Sequence, residues 1–155
     1  MNLNELFEAL ASDNSRLFKT DLLKKHTSND TLKKVVFLAL DPFTNFYIRK
    51  IPAYTPNQGE GVSLDFALDS LGDLSKRLVT GNAGIAHLKS NLEAVSAADA
   101  KVLERVIKKD LKCGVSISTA NAVWKDLIAD YPCMLCSAFD KKLVDKIKFP
   151  ALVQK

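Results

Sequence analysis

Two apolar stripes of helical period, meeting at a glycine, constrain this chain more than any other feature in it. Val102, Leu103, Val106, Ile107 and Leu111 recur at the three- and four-residue spacing of one helix face. Gly114 follows as a natural left-handed stop. A second stripe runs through Ile117, Ala120, Val123, Trp124, Leu127 and Ile128, with Ser116 as its expected N-cap. The first helix ends in Lys108, Lys109 and Lys112, and no residue from Cys113 to Trp124 is acidic. Most helix starts recruit Asp or Glu against the positive end of the dipole. A start with free amides, small hydroxyls at Ser116, Ser118 and Thr119, and lysines in front of it suits a phosphate. An ordinary corner between two helices, capped by a serine, accounts for the same residues.

The same period runs along the rest of the chain. Leu3, Leu6, Phe7 and Leu10 share one face, and Ser12 to Ser15 form a break with capping chemistry. A second helix is expected to turn Leu17, Phe18, Leu22 and Leu23 inward and Lys19, Lys24 and Lys25 outward. A third carries Leu32, Val35, Val36, Leu38 and Leu40. Asp41-Pro42 is expected to open a short helix from Phe43 to Ile48, ending in Arg49-Lys50. Residues 52–61 hold Pro52, Pro56, Asn57, Gly59 and Gly61 and read as a loop. Residues 63–78 read as one helix with Leu64, Phe66, Ala67, Leu71 and Leu74 inward. Ser96 to Asp99 caps the helix that leads into Cys113. No alternating run marks a strand before residue 131, so the fold class is all-α, with seven or eight helices.

A second stretch repeats the pattern of the first. Lys76 and Arg77 close a helix, Thr80, Gly81, Asn82 and Ala83 make a turn, and a new helix begins with no acid between Ser75 and Ser90. Two candidate phosphate clamps result. His87 reads as a surface histidine, because no second His or Cys is spaced with it to hold a metal.

Composition narrows the class without naming a function. At 155 residues the chain can bury one good core. It is 47% hydrophobic and 26% charged, which is a globular balance, and its net charge of +4 is compatible with a nucleic-acid partner. No apolar run reaches membrane-spanning length, and the N-terminus lacks the basic start of a signal peptide. Cys113, Cys133 and Cys136 are an odd number, as expected of reduced thiols in a cytoplasm. Cys133 and Cys136 form a C-x-x-C with neither a second pair for zinc nor a βαβ context for redox work.

Residues 103–128, LERVIKKDLKCGVSISTANAVWKDLI, resemble the helical DNA-binding domain of bacteriophage-type ATP-dependent DNA ligases. That family carries Arg/Lys-Asp-Leu-x-Cys-Gly-x-Ser-x-Ser-x-Ala-Asn-x-Val-Trp at this point. It also has a Leu-Thr-Gly-Asn-Ala-x-Ile run, matched here from Val79 to Ile85 with Val in place of the leucine. Pro132, Met134 and Leu135 resemble the segment that opens the ligase nucleotidyltransferase domain. Phe149 to Gln154 is similar to the Phe-Pro-Ala-x-x-Gln run that precedes the lysine nucleophile. The resemblance implies a helical DNA-binding domain over residues 1–130. Residues 131–155 would then be a connector, with a short basic helix at 139–147, and the first residues of the adenylation domain. Lys155 aligns with the variable position before the nucleophile, and a one-residue gap would put it on the nucleophile itself. The chain is then expected to be non-catalytic and to bind no cofactor, with ATP and magnesium belonging to the parent enzyme.

What the resemblance implies for function is sequence-independent binding of duplex DNA, nicked in the parent reaction, across the minor groove. Lys76, Arg77, Thr80, Gly81 and Asn82 would form one contact. Lys108, Lys109, Lys112, Gly114, Ser116, Ser118, Thr119, Asn121 and Lys125 would form the other. The expected protein is a cytoplasmic monomer with no membrane partner. A helical module that docks to replication proteins is the alternative. An intact enzyme is a third reading, weakened by the presence of only two histidines and the lack of a glycine-rich nucleotide loop.

Overall fold

The computed structural model describes residues 2–129, together with Lys142 and Lys146. The readings made for Cys133, Cys136, the 139–147 helix, the strand start at Phe149 and Lys155 lie outside these residues. Eight helical segments follow one another among the described residues: α1 (Leu3–Ser12), α2 (Arg16–Lys25), α3 (Asp30–Leu40), α4 (Leu64–Ser70), α5 (Gly72–Ser75), α6 (Gly81–Ala94), α7 (Ala97–Ile107) and α8 (Ile117–Val123). No strand forms among them; two isolated bridges join the 57–61 loop to Val95 and Ser96. The all-α reading of the sequence holds.

Most helix starts follow directly from local sequence. Asn2 and Glu5 form a reciprocal capping box on α1, with bonds of 2.8 and 2.9 Å. Ser15, Asn29, Ser63, Ser96 and Ser116 each accept a bond from the backbone N–H three residues on. The apolar stripes then decide the packing. α7 lies against both α1 and α3, and α2 lies against α8. Leu6, Phe7 and Leu10 of α1, Leu32, Val35 and Val36 of α3, and Val102, Leu103 and Val106 of α7 are all buried. Each such side chain contributes about 1.5–3 kcal/mol by leaving water.

Several expectations are corrected. Residues 43–48 do not form a helix. The Asp41 carboxylate accepts from the Phe43 amide and the Thr44 hydroxyl, and that local bonding displaces the helical ladder. The 63–78 helix breaks at Leu71-Gly72, where glycine is a poor helix former, and Phe66 faces solvent. α2 is rotated from its expected pose: Lys19 is buried and Leu17 is 77% exposed. The ends of α7 and α8 also move: α7 stops at Ile107 rather than running to the Gly114 turn, and α8 stops at Val123 rather than continuing along the stripe through Ile128.

The α8 end has a clear cause. The Asn121 side chain donates to the Ile128 carbonyl and accepts from its amide, both at 3.0 Å, which folds the chain back after Trp124. The Trp124 indole donates to the Thr27 carbonyl at the end of α2. Trp124 and Ile128 therefore keep their place in the core without helical geometry.

The 51–61 loop is latched to the junction of α6 and α7. The Val62 amide bonds to the Ala94 carbonyl at 2.8 Å, and the Asn57 amide to the Val95 carbonyl at 3.1 Å. Gly61 has φ +64, and a Cβ there would collide with the Ala94 carbonyl oxygen. Gly61→Ala is expected to lower stability by about 2 kcal/mol or more, through both the left-handed backbone and the collision with main chain. Urea unfolding monitored by circular dichroism measures it; an unchanged midpoint would show that this loop does not bear on the core.

Candidate nucleic-acid interface

The two turns singled out by sequence share one construction. α5 ends with Arg77 at φ 58 and α7 ends with Lys109 at φ 56. After α5 the Arg77 amide bonds back to Leu74 O and the Leu78 amide to Asp73 O; after α7 the Lys109 amide bonds to Val106 O and the Asp110 amide to Arg105 O. This is the left-handed helix stop in which glycine is the usual residue. Here a cation takes the position twice, at a backbone cost of about 1–2 kcal/mol each.

What each cation does with its charge differs. The Lys109 ammonium donates to the Leu38 carbonyl at 2.7 Å and the Asp41 carbonyl at 2.6 Å, and it lies 6.0 Å from the Phe46 ring centre. Burial lowers its pKa, and the nearby Asp41 charge partly opposes that shift. Lys109 is thus a strut that ties the end of α3 to the end of α7. The exposed Arg77 guanidinium instead stacks on the exposed Tyr47 ring at 4.9 Å.

The helix starts also differ. Thr80 precedes α6 without capping it, so the first-turn amides take no bond from its side chain, and no acid stands in that turn. Gly81 and Asn82 are exposed, and no heavy atom lies within 4 Å of where a Gly81 Cβ would be. At α8, Ser116 caps the Thr119 amide and contacts the Ser118 and Thr119 hydroxyls at 2.9 and 3.2 Å. Thr119 is buried and Asn121 is committed to Ile128. Of the expected contact residues, Lys76, Arg77, Thr80, Gly81, Asn82, Lys108, Lys112, Gly114, Ser116, Ser118 and Lys125 are exposed. Lys108 is paired with Glu104 at 3.2 Å. Lys109, Thr119 and Asn121 spend their polar atoms on the protein itself.

Two groups escaped the sequence reading. Lys19 is buried along its stem, and its ammonium lies 2.6 Å from where a Cβ on Gly114 would sit, directly under the Cys113–Ser116 turn. Its helix placement alone gave it a solvent face; only the packing of α2 on α8 brings it there. The second group is the segment 45–50. A groove of about 340 Å³ at the start of α6 is lined by Tyr47, Arg49, Lys50, Arg77, Thr80 and Gly81 among others. His87 is half-buried and bonds to the hydroxyl and carbonyl of Ser70, joining α6 to α4.

Comparison with known proteins places this geometry. The chain is 38% identical over 154 residues to the DNA ligase of Enterobacteria phage T4 and, to the same extent, to that of phage T6. It is homologous to phage DNA ligases. The match covers 97% of this chain and 32% of each ligase, so the chain spans about a third of the length of these relatives. No protein-family profile matches it. Two solved chains titled Pmar-Lig_PreS3 and Pmar-Lig_Pre. share the fold at a TM-score of 0.73 and 24% identity, covering 81% of this chain and 30% of theirs. The ligase-like run at Lys109 to Trp124 therefore lies on the α7–α8 corner of a fold found in those chains.

The strut role of Lys109 has a measurable consequence. Lys109→Met is expected to cost about 1–3 kcal/mol, since two inward-facing carbonyls lose a charged donor. Lys112→Met, at an exposed position, should leave the unfolding midpoint nearly unchanged. Equal midpoints for both variants in urea would refute the strut.

Proposed function

We propose that this chain is a non-catalytic DNA-binding module of a phage-type ATP-dependent DNA ligase, gripping duplex DNA through its sugar–phosphate backbone. The observation that carries the reading is the pair of acid-free helix starts, each preceded by exposed cations, in a chain homologous to DNA ligases. The α6 start is the more open of the two and would offer its amides directly to a phosphate. The α8 start would act through the Ser116 and Ser118 hydroxyls, with Lys19, Lys108, Lys112 and Lys125 supplying charge. Contacts of this kind fix position on a duplex without reading bases, as a nick-sealing enzyme requires. Nicked DNA is the parent's substrate on this reading, and the minor groove is the face engaged.

ATP and magnesium belong to the proposed parent reaction. Among the described residues no group of three or more His, Cys, Asp or Glu side chains could hold a metal ion. No described helix is long and apolar enough to cross a membrane.

With roughly five phosphates neutralised, the logarithm of duplex affinity should fall with the logarithm of salt concentration at a slope of about −4 to −5. Lys112→Ala should weaken binding to a similar degree on duplexes of unrelated sequence. Fluorescence anisotropy across a salt series measures both. A flat salt response would remove the DNA reading, and a loss confined to one sequence would argue for base readout.

A further inference from the structure

The two clamps are separate in sequence, but one strip of chain lies between them in space. Phe46, Tyr47, Ile48 and Arg49 line the groove at the start of α6, and the same four residues line a second, more open groove of about 490 Å³ whose far side is Ile107 and Lys109 at the end of α7. Neither groove has a carboxylate in its lining. Arg49, Lys50 and Arg77 bring three cations to the first, and Lys109 closes the second. The strip is held in this position by the Lys109 bonds to Leu38 and Asp41, immediately before it. Its Tyr47 ring is 62% exposed and is covered only in part by Arg77.

We propose that Asn45–Lys50 is a third DNA-contact element, lying between the start of α6 and the end of α7. Arg49 and Lys50 neutralise phosphates of the strand that passes from the start of α6 toward the end of α7, and the stacked Tyr47–Arg77 pair packs its apolar face against the adjoining deoxyribose. The charge of the first groove selects the occupant: an acid-free surface with Arg49, Lys50 and Arg77 matches a polyanion, and the exposed Tyr47 ring beside them matches the sugar–base side of that polyanion better than a free phosphate. This inference rests on the DNA-binding reading and names residues which that reading does not need.

The test uses the full chain and a fluorescein-labelled duplex of roughly two dozen base pairs, titrated at several salt concentrations. Arg49→Gln combined with Lys50→Gln should reduce the salt slope by about 1.8 and weaken binding on the order of tenfold or more near 0.1 M salt. Tyr47→Ala should weaken binding several-fold with the slope retained, and Tyr47→Phe should restore it. Circular dichroism and the urea midpoint check that each variant is folded; Tyr47→Phe keeps the ring test informative if the alanine variant is not. Wild-type affinity and slope retained in the folded double variant would overturn the third contact element while leaving the two clamps standing. Absence of wild-type binding to the duplex would overturn both readings together.

Discussion

A single ammonium group ties the end of α3 to the end of α7. Lys109 leaves α7 in a left-handed conformation and turns its side chain inward to two carbonyls at the end of α3. Those bonds hold the Asp41–Phe46 turn, and that turn places the 45–50 strip beside the start of α6 and the end of α7. The arrangement is unusual because glycine would take the same backbone at no steric cost. The lysine is accounted for by what its charge does next. Its two hydrogen bonds, each worth about 1.5–3 kcal/mol when the donor is charged, offset the backbone cost.

Arg77 repeats the backbone device with its charge turned outward. It ends α5 with the same pair of main-chain hydrogen bonds, then lies over Tyr47 at the surface. One left-handed cation is thus structural and its counterpart is available to a ligand. The same asymmetry runs through the helix starts that follow. α8 is short, and its cap serine already engages an amide, so hydroxyls and nearby ammonium groups dominate there. α6 spans 14 residues and lacks a side-chain cap, so its amides and dipole dominate instead. If both ends hold phosphates, they do so by different chemistry, and salt should affect the α8 side more than the α6 side.

Lys19 and the 45–50 strip illustrate how packing brings cations to a candidate interface that is marked only partly in the chain. A lysine stem is mostly hydrocarbon, and it can line a helix contact while its ammonium reaches a polar edge. Between α2 and α8 that edge is the Gly114 turn. The strip gains its importance from the same source: Arg49 and Lys50 are ordinary loop cations until the ends of α5 and α7 are folded against them.

Local sequence determined most of the helices, most of their starts and most of the core. Side chains that cap do so over three residues, and apolar stripes repeat every three or four, so both are written in short windows that need no knowledge of the fold. The all-α class, the Ser116 and Ser96 caps, the acid-free starts of α6 and α8 and the ligase-like run all belong to this kind of information. Tertiary structure decided where helices end and which cations remain free. Leu111 and Trp124 fit the helical stripes by spacing yet are buried from non-helical backbone, because the Lys109 side chain bonds across the fold to the end of α3 and the Asn121 side chain folds the chain back onto Ile128. Lys109, Thr119 and Asn121 looked like ligand contacts because a polar side chain near a turn does not show, in one dimension, whether its partner is a ligand or the protein itself: the Ser116 hydroxyl for Thr119, the Ile128 backbone for Asn121 and the distant Leu38 and Asp41 carbonyls for Lys109.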